Sequence, residues 1–141
     1  MEKDIQKLHM ILAGGTCCSK ALVQMGLLAS GREDPFLADT VSGLCLGVHS
    51  GLLCGALTGG ALCLSLFDPQ IAASDMIPQL TEWFREVTVD RYGGMDCGTI
   101  LDGDPANKAL RCPGLVEEVW RKCREILEDE GFDLETAAEN L

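Results

Sequence analysis

The feature that most limits the fold is a run of 27 residues, Val41 to Phe67, without one Asp, Glu, Lys or Arg. It carries Gly43, Gly47, Gly51, Gly55 and Gly59 at a four-residue period, the small-residue spacing that lets helix backbones approach closely. Hydropathy alone makes such a run a membrane-span candidate. Its flanks argue otherwise: Asp39 and Asp68 bound it, no basic cluster or Trp and Tyr belt accompanies it, and Ser42, His49, Ser50 and Thr58 dilute it. The run is therefore expected as one long or two successive helices buried at the centre of a bundle. A glycine inside a helix costs about 1 kcal/mol relative to alanine. Five at one spacing need a packing reason, either a neighbouring backbone or a bulky cofactor, and Gly55 and Gly59 beside Cys54 are the candidates to line one.

The flanking segments also read as helices. Ile5, Leu8 and Leu12 suggest a first helix stopped by Gly14-Gly15. Thr16 is placed to cap a second, whose core stripe is Cys18, Ala21, Leu22, Met25, Leu28 and Ala29. Cys17 is rotated about 100° from that stripe. Asp34-Pro35 reads as a cap with proline in the first turn, and Asp68-Pro69 closes the charge-free run. Ser74 is expected to cap a helix with Ile77, Leu80, Phe84 and Val87 inward, broken at Tyr92-Gly93-Gly94. Asp96 can cap a short helix from Cys97 to Leu101. The last strong helix is expected from Cys112-Pro113 to about Glu130, with Val116, Val119, Trp120, Cys123 and Leu127 inward and Gly131 as its stop. Residues 133–141 read as an acidic tail. No segment carries strand-type alternation of useful length. The expectation is an all-α, single-domain bundle of five or six helices spanning 1–141, with a central glycine-rich, charge-free region.

Composition narrows the function. Of 141 residues, 22 are acidic and 11 basic, a net charge of −11, so neither nucleic acid nor an anionic membrane surface is an expected partner. The N-terminal residues 1–7 mix charge signs and form no apolar stretch, which does not read as a signal peptide. A reducing cytoplasm is the expected compartment, where eight cysteines suggest ligands or redox thiols rather than a disulfide framework.

Two cysteines fall at expected helix starts, Cys97 after Asp96 and Cys112 before Pro113, where free N–H groups and the helix dipole stabilise a thiolate. Cys54 opens Cys-Gly-Ala-Leu-Thr-Gly-Gly, which leaves room around its sulfur. On an unbroken helix Cys45 and Cys63, each nine residues from Cys54, would face away from it. No C-x-x-C occurs, so any metal site must collect single cysteines from separate helices. His49 reads as a hydrogen-bonded core histidine. No catalytic residue set, P-loop or dinucleotide fingerprint is present.

Thr-Cys-Cys18-Ser-Lys-Ala-Leu, Cys54-Gly-Ala-Leu-Thr-Gly-Gly60, Asp96-Cys97 and Arg-Cys112-Pro-Gly-Leu-Val116 together resemble the C_GCAxxG_C_C family of redox-active proteins. The resemblance covers about Lys7 to Leu127 and implies that Cys18, Cys54, Cys97 and Cys112 are the family cysteines. Cys17, Cys45, Cys63 and Cys123 are then additions of this chain. Leu53 stands where the pattern has glycine, and Cys17 beside Cys18 leaves the first assignment open, with the stripe favouring Cys18. A similar domain in split-Soret cytochromes is associated with an iron–sulfur cluster. The resemblance thus implies an iron–sulfur cluster held by Cys18, Cys54, Cys97 and Cys112, transferring electrons with a redox partner protein and breaking no bonds itself. A metal-free alternative uses the same residues, Cys97 and Cys112 cycling between dithiol and disulfide with Cys18 or Cys54 resolving. A structural Zn²⁺ site is the third reading. The glycine ladder could also serve a homodimer face.

Overall fold

The computed structural model describes residues 2–134 and contains no strand among them. The elements are α1 (Lys3–Ala13), α2 (Cys18–Ala29), α3 (Pro35–Val41), α4 (Gly55–Ser65), α5 (Pro69–Ile71), α6 (Ile77–Tyr92), α7 (Cys97–Ile100) and α8 (Asn107–Asp129). Six of these have seven or more residues, so the all-α expectation stands. No helix among the described residues is long and apolar enough to cross a membrane.

The expected start and stop signals operate at several ends. The Asp34 carboxylate accepts from the Leu37 N–H at 3.0 Å, and that of Asp68 accepts from Gln70 and Ile71 at 3.0 and 3.1 Å. Gly93 (φ 86°) ends α6 in the left-handed conformation that favours glycine.

Helix α4 is the centre of the bundle and packs on α2, α6 and α8. Leu22 and Met25 of α2, Leu64 of α4, Leu80 and Phe84 of α6 and Trp120 and Leu127 of α8 are fully buried around it. The close approach comes from glycine: a Cβ at Gly59 would lie 2.6 Å from Ser19 Cα and 2.8 Å from its carbonyl oxygen. The space left by Gly59 is thus filled by the α2 backbone. The outer stripe of α2, Val23 and Leu27, buries against Ala38 and Val41 of α3.

At the opposite side, α1 is pinned to α8 through a buried carboxylate. Asp4, 3% exposed, accepts from Trp120 Nε1 at 2.9 Å, from Arg124 Nη1 at 2.5 Å and from the adjacent Ile5 N–H at 2.8 Å. Every donor aimed at it answers a lone pair, as a buried charge requires.

Four expectations about element limits are overturned. The charge-free run is not helical throughout: α3 ends at Val41, and helix resumes only at Gly55. Between them, after a 3₁₀ turn at Ser42–Leu44, Leu46, Gly47, Val48 and His49 form one left-handed turn with φ of 55°, 61°, 60° and 53°. Only Gly55 and Gly59 of the ladder therefore lie on a helix. His49 is not a core residue; it is exposed, with Nε2 at 2.9 Å from the Ser42 carbonyl.

Ser74 caps nothing, because α5 runs through a π turn at Ala72–Met76 directly into α6. The N-cap of α2 is Cys17 rather than Thr16. Helix α8 begins at Asn107, five residues before Cys112, and holds Pro113 in its interior. Its first turn is secured from outside: Asp104 accepts from the Ala106 N–H at 3.0 Å, while Asn107 Nδ2 and Arg111 Nη1 donate to the Leu101 and Ile100 carbonyls at 2.8 and 2.6 Å. Of the acidic tail, residues 135–141 lie outside those described.

Candidate functional site

Three of the four candidate cysteines stand where helices begin. Cys18 is the first residue of α2, Cys54 is the N-cap of α4, and Cys97 is the first residue of α7. Cys112 does not: it lies one and a half turns inside α8, so the helix-start argument fails for it.

The fold gathers these four by separate devices. Helices α2 and α4 lie side by side with their first turns together, and the absence of a side chain at Gly55 admits Cys18: a Cβ there would be 2.7 Å from its sulfur. Residues 52–54 pair antiparallel with 95–97, the Cys54 N–H donating to Met95 O at 3.1 Å and the Cys97 N–H to Leu52 O at 2.6 Å. Residues two apart on such a bridge share a face, which places Cys54 and Cys97 on the same one. Helix α7 is tied to α8 by the Arg111 and Asn107 bonds, and Arg111 stacks over the Tyr92 ring at 5.5 Å. That joins Cys97 to Cys112.

The electrostatics differ sharply from thiol to thiol. Cys54 donates a hydrogen bond to Cys18, and this is the largest reason that the Cys18 pKa falls to about 7. The Ser19 and Leu46 N–H groups add to it, with the Lys108 ammonium further out. For Cys54 the same hydrogen bond, then burial, pushes the pKa far above the ordinary thiol range. The pair shares one proton, and the ionised partner is the half-buried Cys18. Burial raises Cys97, and raises Cys112 to about 11, with negative charge on Cys18 adding to both. The expectation of depressed pKa values at Cys97 and Cys112 is thereby reversed. Cys18 is the activated sulfur.

Two clefts open on this cluster. One, of about 460 Å³, is lined by Gly15, Cys17, Cys18, Lys108, Cys112 and Pro113 among others; its neighbour, of about 350 Å³, by Leu46, His49, Cys97 and Lys108. Lys108 stands at both mouths. It was not singled out from the sequence, although it sits one helical turn before Cys112 on α8 and would have stood out had the helix been extended to Asn107.

The remaining cysteines pair. Cys17 and Cys45 form a disulfide with a Cα–Cα separation of 6.0 Å. Nothing in the local sequence announces it, since Cys45 sits in a loop that reads as helix. Cys63 and Cys123, both fully buried, face each other between α4 and α8, and the Cys123 thiol donates to the Gly60 carbonyl at 3.8 Å. Gly26 and Gly60 make the niches: a Cβ at Gly26 would lie 2.9 Å from the Cys63 sulfur, and one at Gly60 3.4 Å from that of Cys123.

The pattern described as "Putative redox-active protein (C_GCAxxG_C_C)" matches residues 16–126. The chain belongs to the C_GCAxxG_C_C family. The matched span of this redox-active family contains all eight cysteines. No curated protein and no solved structure matches the chain.

An iron–sulfur cluster asks for four thiolates around one centre. The donor chemistry of Cys18, Cys54, Cys97 and Cys112 suits that demand. Among the described residues no group of three Cys, His, Asp or Glu side chains is placed to share a metal ion.

Proposed function

We propose that this family member is a thiol–disulfide redox protein in which Cys18 is the nucleophile and Cys54 the resolving thiol. What supports it is the approach of the Cys18 sulfur to the start of α4, where a Cβ at Gly55 would lie 2.7 Å from it, together with a Cys18 pKa lowered to about 7 and a Cys54 pKa raised. Low-pKa attacker and protonated resolver are the two roles that exchange requires. The partner is a disulfide, on a protein or a small molecule, that reaches Cys18 through the cleft shared with Cys112 and Lys108. The Cys18 thiolate attacks one sulfur of that disulfide and the other leaves as thiolate. Cys54 then gives up its proton and attacks the Cys18 sulfur, releasing the second partner thiolate. The protein is oxidised by two electrons and the partner disulfide becomes two thiols. Lys108 stabilises the thiolates at the cleft mouth.

One observation favours a second reading: Cys97 and Cys112 feel the charge of Cys18, yet a two-thiol cycle does not use them. In that reading the four cysteines together hold an iron–sulfur cluster, or Zn²⁺, and a cluster would supply one-electron transfer to a redox partner protein.

Isolation under nitrogen, followed by iron, zinc and acid-labile sulfide assays and differential alkylation after exposure to glutathione disulfide, decides between them. Metal-free protein forming a Cys18–Cys54 disulfide is expected. Stoichiometric iron and sulfide with all four thiols protected from alkylation would overturn the dithiol reading.

A further inference from the structure

The geometry points to the Cys17–Cys45 disulfide as a second redox station that exchanges directly with the Cys18–Cys54 dithiol, so that one chain passes an electron pair between two cysteine pairs. This rests on the dithiol reading and extends it to two residues outside the family's four-cysteine pattern.

The observation is the position of the Cys18 sulfur. It lies against Gly55, the residue after Cys54, and its pKa is lowered by the backbone N–H of Leu46, the residue after Cys45. It is therefore wedged between the two loops that carry its exchange partners. Cys17 adjoins it in the chain and lines the same cleft. The Cys45 sulfur is 2.9 Å from the hydroxyl of Ser19, the residue that follows Cys18. That hydroxyl also donates to the Val41 carbonyl at 3.3 Å, fixing the Cys45 loop onto α2. Disulfide, thiolate and resolving thiol thus occupy one small region at the start of α2.

Thiolate attack on a disulfide sulfur passes through a mixed disulfide. Here the Cys18 thiolate attacks the Cys45 sulfur, the Cys17–Cys45 bond breaks, and Cys17 leaves as a thiolate that takes up a proton. The negative charge that held Cys54 protonated is then consumed in the Cys18–Cys45 bond. Cys54 loses its proton and attacks the Cys18 sulfur, and Cys45 leaves as thiolate and is protonated. The sum is one thiolate, one thiol and one disulfide becoming two thiols and one disulfide, with one proton taken from solvent, two electrons moved from Cys18 and Cys54 to Cys17 and Cys45, and no external oxidant. The device makes the second step wait for the first, because only consumption of the Cys18 thiolate releases Cys54.

The test starts from fully reduced protein oxidised with one equivalent of diamide per chain and left to equilibrate. Free thiols are blocked with light N-ethylmaleimide, the disulfide is reduced, and heavy reagent is added before fragment-ion mass spectrometry. The expected result is two populations, heavy at Cys17 and Cys45 or heavy at Cys18 and Cys54. In Cys54→Ala the heavy label should stay on Cys45 in every chain and divide between Cys17 and Cys18. A wild-type chain that carries heavy label only at Cys17 and Cys45 overturns the relay. In that case a Cys17→Ser/Cys45→Ser chain that still forms Cys18–Cys54 in glutathione disulfide leaves the dithiol reading intact. Failure of that double variant to form the bond, with its helical circular dichroism unchanged, sinks the dithiol reading and the relay together.

Discussion

Cys54 gives its hydrogen bond to Cys18 across the point where the first turns of α2 and α4 meet, and this one contact moves the two thiols in opposite directions. A proton shared unequally between neighbouring sulfurs separates the roles of attacker and resolver without any charged side chain between them. The contact exists because position 55 is glycine; any larger residue would occupy the place of the Cys18 sulfur.

The pH dependence of Cys18 alkylation measures that contact. The rate with iodoacetamide should rise through a midpoint at about 7. In Cys54→Ala the largest cause of the depression is gone, and the midpoint should move up toward the ordinary thiol value of about 8.5, a loss of roughly tenfold in rate at neutral pH. The stability signs differ within the pair. The depressed Cys18 favours folding as pH rises above about 7. The raised Cys54 favours folding below the ordinary thiol pKa and loses that effect as pH rises past it. Their joint contribution should peak near about pH 8.5, and a denaturation series across pH in wild type and Cys54→Ala checks it. A midpoint unchanged by the substitution would show that Cys54 is not the cause.

Gly59→Ala should destabilise the protein by about 1–3 kcal/mol, because the new methyl meets the Ser19 backbone at 2.6–2.8 Å and forces α2 off α4. Gly114 on α8 is the control. It is exposed and a Cβ there meets nothing within 4 Å, so Gly114→Ala should stabilise by about 1 kcal/mol through helix propensity. Urea unfolding of the two variants should give opposite signs.

The helix ends at Asp34-Pro35, Asp68-Pro69 and Gly93 could be read from the sequence because each is a local device: a carboxylate within reach of free N–H groups, or a residue free to take positive φ. The inward stripe of α8 was equally legible, since Val116, Val119, Trp120, Cys123 and Leu127 are all buried. Residues 41–54 misled because hydropathy reports burial and not backbone hand; an apolar left-handed turn at Leu46–His49 has the composition of a buried helix. Pro113 misled because proline favours a first turn, whereas the bonds from Asn107 and Arg111 to the end of α7 hold the earlier turns of α8 in place. The cysteine order pointed to four residues, of which the fold sets Cys18 against the start of α4 at Cys54. Which of them ionises depended on contacts between α2 and α4 that no local spacing encodes.

Asp4→Ala should cost about 3–5 kcal/mol, since it leaves the Trp120 indole N–H and the Arg124 guanidinium without the buried acceptor they share. Asp4→Asn retains one carbonyl acceptor and should cost less. Thermal unfolding ranks them, and equal losses would mean that the charge, rather than the hydrogen-bond geometry, carries the contact.

Val48→Gly should stabilise, against the usual sign of such a change. Val48 is half exposed in the left-handed turn at φ 60°, where its branched Cβ crowds its own backbone. That conformation costs roughly 1–2 kcal/mol for an L-residue, while the extra freedom of glycine in the unfolded chain returns about 0.4–1 kcal/mol of it. The net gain should be up to about 1.6 kcal/mol, a rise of a few degrees in Tm. The Cys17–Cys45 disulfide before the turn and the pairing of residues 52–54 with 95–97 after it hold the strained segment at both ends. Reduction of the disulfide releases one anchor, so amide exchange at residues 46–51 should quicken on reduction in wild type and less so in Val48→Gly. A loss of Tm in Val48→Gly would mean that the valine side chain stabilises the loop more than its backbone strains it.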